Sequence, residues 1–156
     1  MNAPGNTVGD AAERPLAETR DRYRHWRPID TRWMDNDAYG HVNNVVYYSY
    51  FDTVVNGFLI ARGLLDIERS PAIGLVVETA CRYHASLAFP DRIDAGMRVA
   101  RLGTSSVRYE IGLFRSEAPA PAATGHFVHV YVDRETRRPV PVPPAIRTLL
   151  AELILP

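Results

Sequence analysis

Residues 35 to 44 read DNDAYGHVNN and bring two carboxylates, one imidazole and three carboxamides into ten positions. A carboxylate can take a proton from water or attack an electrophilic carbon itself. An imidazole beside it can hold it in place or donate a hydrogen bond. Asn43 and Asn44 are natural helix caps, and the sequence after them is apolar. A helix starting there leaves its first backbone N–H groups without partners and carries partial positive charge at that end. Carboxylate and free amides then meet at one junction, where the amides can stabilise developing negative charge.

The element after the junction is the longest in the chain. From Val45 to Arg62 the run covers about 18 residues, long for a strand and ordinary for a helix. Its polar members up to Ile60 are Ser49, Asp52, Thr53 and Asn56, spaced as one narrow stripe on a helix. That period outweighs the strand propensity of the β-branched and aromatic residues around it. A helix so widely apolar is expected to be wrapped by the rest of the protein, with Asn43 as N-cap and Gly63 as the glycine just past its end.

Ahead of the junction, Trp26 to Trp33 predicts a short strand that Pro28 assigns to an edge. After the connector LLDIERSP, Ala72 to Phe89 alternates with period two. Ile73, Leu75, Val77, Thr79, Cys81 and Tyr83 share the predicted apolar face, and the strand should bend near Ala85 to Ala88. Arg92 to Leu102, Val107 to Arg115 and Thr124 to Val132 predict three more strands, the first two joined as an antiparallel hairpin by GTSS. Ala145 to Ile154 predicts a terminal helix started by Pro144. One helix cannot cover both faces of such a sheet. The sheet should therefore curl around it and leave its outer face to solvent or a partner.

The 156 residues suit a single domain with a real core. Eighteen basic and eighteen acidic side chains cancel, so nothing in the charge points to nucleic acid or an anionic membrane. Four polar side chains in the long run, Asp52 among them, argue against a membrane span. A lone cysteine, Cys81, excludes an intrachain disulfide and fits a reducing, cytoplasmic compartment. Residues 1 to 22 have no apolar signal region and are expected to be a flexible leader to a domain over 23 to 156.

The run Asp35-Asn36-Asp37, then Gly40-His41-Val42-Asn43-Asn44 entering an aromatic-rich helix, resembles the D-x-D-x-x-G-H-V-N-N signature of hotdog-fold acyl-CoA thioesterases of the 4-hydroxybenzoyl-CoA thioesterase type. The order of one long helix and four strands is similar too, over residues 24 to 145. Ala38 stands where those proteins often have proline, which keeps the acid but loosens the turn. The resemblance implies an α+β hotdog fold, a long central helix wrapped by a curved antiparallel sheet of about five strands. It implies a homodimer or homotetramer with sites between subunits, an acyl-CoA substrate and no cofactor.

By the same resemblance Asp37 is the general base or the nucleophile, a choice the sequence leaves open. The amides of Asn44 and Val45 would receive the oxyanion, with Gly40, His41 and Asn43 in support. Tyr47 and Tyr48 would lie near the acyl group, and Arg101, Ser105 and Ser106 near the coenzyme. Each has a plainer reading: acids and asparagines before a helix are turn formers, tyrosines in a helix are core, and arginines on strands are solvated surface. Asp35 is expected to shape the loop.

Other chemistries find less support. Cys81 sits on the apolar face as a small hydrophobe. His126 and His129 fall on opposite faces of one strand, and no ligand spacing for a metal is present. There is no G-x-S-x-G and no phosphate-cradling loop. The alternatives are a hotdog hydratase or dehydratase, which needs a histidine and an acid on different loops, and a non-catalytic acyl-CoA-binding protein.

Overall fold

The structure, a computed structural model, describes residues 18–156. The strands are β1 (His25–Asp30), β2 (Ala72–Tyr83), β3 (Arg92–Leu102), β4 (Ser106–Arg115) and β5 (Ala123–Asp133), and the helices are α1 (Val46–Ala61) and α2 (Pro144–Ala151). All neighbouring strands are antiparallel, in the order β1-β3-β4-β5-β2. The two strands that flank α1 in sequence thus form opposite edges, and α1 crosses the sheet between them.

Tyr47, Tyr50, Phe51, Val54, Val55, Phe58 and Leu59 are buried on one side of α1, at the three-and-four spacing of a helix face. They join the inward side chains of β3, β4 and β5 in one core. Each such side chain removed from water stabilises the fold by about 1.5–3 kcal/mol. The polar stripe falls on the opposite side, where Ser49, Asp52 and Thr53 are exposed beside Ile60. Complete wrapping is not reached within one chain, because the sheet curves past only one side of α1.

Both ends of α1 have a local cause. At the C-terminal end Gly63 adopts φ +68°, and its N–H bonds to Ile60 O at 2.9 Å while that of Leu64 bonds to Leu59 O at 3.0 Å. Those paired bonds close a helix around a left-handed glycine. At the other end Asn43 stands ahead of the helix instead of capping it directly. Its carbonyl accepts from Val46 N–H at 2.9 Å and its side-chain Oδ1 from Val45 N–H at 3.2 Å, so it closes a turn that feeds the first helical residue.

The long strand predicted over residues 72 to 89 is interrupted twice. A bulge at Val77 shifts the pairing with β5 between Val76 and Glu78. Ile73 and Leu75 then sit opposite Val132 and Val130 on the outer side, while Thr79, Cys81 and Tyr83 sit opposite Phe127, Gly125 and Ala123 on the inner side. The single apolar face is therefore split in two. The strand stops at Tyr83 because the next two N–H groups, of His84 and Ala85, both turn to Ala122 O at 2.8 and 3.0 Å.

β1 is shorter than expected, since Thr31 leaves it to donate from Oγ1 to Asp91 O at 2.5 Å and Trp33–Asp35 coils into a 3-10 turn. Of the expected leader, residues up to 17 lie outside the described ones. Glu18 and Arg20 are tied to the sheet through Arg98 at 3.0 Å and Asp94 at 2.5 Å, so the packed domain begins before Tyr23. α2 has Pro144 at its start and buries Ile146 and Leu150. Among the described residues no helix is long and apolar enough to cross a membrane. A curved antiparallel sheet about one long helix is the α+β hotdog architecture.

Candidate active site

The loop between β1 and α1 is mounted on Asp35. Its carboxylate is 1% exposed and takes Arg32 Nε and Nη2 at 3.0 and 2.9 Å, Arg32 N–H at 2.8 Å and the Tyr50 hydroxyl at 2.7 Å. Burial alone would raise this carboxyl, but the hydrogen bonds from Arg32 and Tyr50 outweigh it and hold the group below its ordinary range. Asp35 O also accepts from Asn43 N–H at 2.9 Å. One acid thus joins the loop's beginning, its end and the helix.

On that mount residues 37 to 41 form a tight reversal. Asp37 N–H donates to His41 O at 2.9 Å, Gly40 N–H donates to Asp37 O at 3.2 Å, and Asn36 bridges Val42. Gly40 adopts φ +81° with open space where a side chain would be, so the turn needs glycine for its backbone angle and not for close approach. Asp37 Oδ1 accepts from Tyr39 N–H at 2.9 Å, and Oδ2 lies 3.5 Å from His41 Nδ1. The Asp37 side chain is 17% exposed.

Asp37 lines a cleft of about 300 Å³ with His41, Val42, Asn44 and Tyr47, opposite the segment Tyr83 to Ser86. That segment reaches over from β2 because Val42 N–H bonds to Leu87 O at 2.7 Å. Asn44 N–H has no hydrogen-bond partner among the described residues, whereas Val45 N–H is engaged by Asn43 Oδ1. Of the two amides singled out by the sequence, only that of Asn44 is free. Tyr48 lies one residue beyond, half-buried, with its ring edge-on to Phe51.

Arg101, Ser105 and Ser106 are not brought to this cleft. They lie at the β3–β4 hairpin, level with Val130, while the cleft lies at the other end of the strands, level with Ala123 and Tyr83. Ser105 O accepts there from Tyr131 N–H at 2.7 Å. Among the described residues no three His, Cys, Asp or Glu side chains cluster to hold a metal.

A second cleft of about 320 Å³ opens on the outer face, lined in part by Arg98, Arg108, Glu110 and His126. Most of its charges are paired, Arg98 with Glu110 at 2.6 Å and Arg108 with Glu78 at 3.5 Å, and His126 Nε2 lies 2.6 Å from Glu78. Sequence reasoning missed Tyr83 and His84 as cleft residues. The clue to Tyr83 lay in its place on the predicted apolar face with Thr79 and Cys81, which stays inward past the bulge at Val77.

A family model described as the thioesterase-like superfamily matches residues 31–150. The PA5185 protein of Pseudomonas aeruginosa is 55% identical, with a TM-score of 0.85 over 87% of this chain and 95% of that one. PA2801, a putative thioesterase of the same organism, is 30% identical, with a TM-score of 0.75 over 85% of this chain and 98% of that one. The DHNA-CoA thioesterase of Staphylococcus aureus shares the fold at 19% identity, with a TM-score of 0.68 over 74% of this chain and 78% of that one. With its cleft at the head of a long helix, and with a match covering most of its length, the chain belongs to the thioesterase-like superfamily.

Proposed function

We propose that this chain hydrolyses acyl-CoA thioesters in the cleft between the Asp37 loop, the start of α1 and the end of β2. The observation that carries the reading is a largely buried carboxylate sharing one cleft with a free backbone N–H just ahead of a helix. The thioester oxygen takes the Asn44 N–H, whose hydrogen bond strengthens as the oxygen gains charge. Asp37 accepts a proton from the attacking water. The new C–O bond forms, the C–S bond then breaks, and the proton returns from Asp37 to the departing coenzyme thiolate. Both carboxylate oxygens keep a neighbour, Tyr39 N–H and His41, which suits a tethered base better than a nucleophile that must swing free.

A second copy completes the site. Leu75, Val76 and Val77 are 37%, 45% and 61% exposed along the free edge of β2, a surface suited to edge-to-edge pairing. Antiparallel pairing of two β2 edges puts the Gly103 to Ser106 hairpin of the second copy, with Arg101, Ser105 and Ser106, at the same end as Asp37. There these residues would meet the coenzyme.

Thiol release from short, long, branched and aromatic acyl-CoAs tests the activity. Asp37→Asn should lower kcat by about a hundredfold or more, the scale of a lost general base, with an unchanged fold by circular dichroism. Full turnover in that variant rules out the role given to Asp37. Binding without thiol release by the native protein favours an acyl-CoA-binding protein instead.

A further inference from the structure

We propose that Tyr83, at the end of β2, is a positioning residue that aims the Asn44 N–H into the cleft; this rests on the thioester hydrolysis proposed above. Its hydroxyl donates to Asn44 O at 2.9 Å, across 39 residues of sequence. The ring is fixed edge-on against Tyr47, 4.9 Å between centroids at 87°. Both tyrosines line the same cleft as Asp37.

The backbone groups around Asn44 can be counted one by one. On its N-terminal side, Asn43 O is held by Val46 N–H at 2.9 Å. On its C-terminal side, Asn44 O is held by Tyr83 and Val45 N–H by Asn43 Oδ1 at 3.2 Å. Three of the four peptide groups flanking its Cα are tethered, and the fourth is the free N–H. The free N–H belongs to a residue that lines the cleft, and the bonds made to its neighbours set its direction. Asn44 is exposed and precedes the first regular helical turn, so the helix does not fix its dihedrals. Tyr83 is the tether that comes from outside the loop, and it links donor alignment to the end of β2.

The test uses the full chain with an acyl-CoA that it turns over. Tyr83→Phe removes one oxygen and keeps the ring. It should lower kcat about tenfold, the scale of one net hydrogen bond, with KM within about twofold. Asn43→Ala loosens the other end of the same peptide. The double variant should lose less than the product of the two single losses, as expected for groups acting through one shared element. By NMR, Val45 N–H should exchange faster with solvent in Tyr83→Phe than in the native protein, a readout that does not depend on turnover. Unchanged kcat with unchanged Val45 exchange overturns the proposal, as does a rise in KM alone, which would make Tyr83 a substrate contact. If the native protein releases no thiol, or Asp37→Asn keeps full activity, the underlying reading fails instead.

Discussion

At the residue scale the site consists of a few atoms held by many. Asp35 and Asp37 are two positions apart and look alike in the sequence. Asp35 is sealed by Arg32 and Tyr50, while Asp37 faces the cleft with Tyr39 N–H and His41 at its oxygens. The sequence could nominate both as turn formers, but Tyr50, which separates them, lies a helical turn into α1. Gly40 was named only as support for the amides, and the structure gives the reason for glycine, a left-handed φ of +81°. Gly40→Ala should therefore cost about 1–2 kcal/mol of stability, the price of a left-handed residue with a Cβ, and lower kcat by displacing Asp37. Gly40→Asn should recover part of both losses, because Asn tolerates that region. Urea melts and turnover of the two variants give the comparison, and equal behaviour of Ala and native glycine would contradict it.

At the scale of elements, periodicity located α1 and β3 well, since both are set by side chains counted over one local stretch of chain. It failed where an element's fate depends on a partner far along the chain. The bulge at Val77 is imposed by pairing with β5, some fifty positions later, and no local pattern announces it. His129 shows the same limit: alternation placed it on a face, but not in the core. It is 2% exposed, with Nδ1 unpartnered among the described residues, and burial lowers its pKa to about 4. The native state therefore resists the proton that the unfolded chain accepts below its ordinary value of 6.5. Stability is complete above pH 6.5 and is lost as pH falls toward about 4, by about 3 kcal/mol over that window. In His129→Phe, denaturant midpoints should fall less between pH 7 and pH 4.5 than in the native protein. Parallel slopes would exclude His129 as the cause.

For the whole molecule, the curved sheet and central helix followed from the order of elements, but the strand order did not. Placing β1 and β2 at opposite edges requires pairings such as His25 with Met97, which single-chain patterns do not encode. The exposed edge of β2 is where a second copy is proposed to join, and a charge there should block it. Val77→Lys should sediment as a monomer and lose acyl-CoA turnover with Asp37 intact. A dimer that survives the substitution would place the contact elsewhere.

The bulge in β2 also has an evolutionary reading. Because one strand changes sides halfway, its first half is free to drift with whatever it binds on the outside, while its second half stays answerable to the cavity within. Substitutions at positions 73 to 75 act first on the outer side, where the contact with a second copy is proposed, and reach the cleft only through that contact. Substitutions at Thr79, Cys81 and Tyr83 act on the inner side and so on the cleft first.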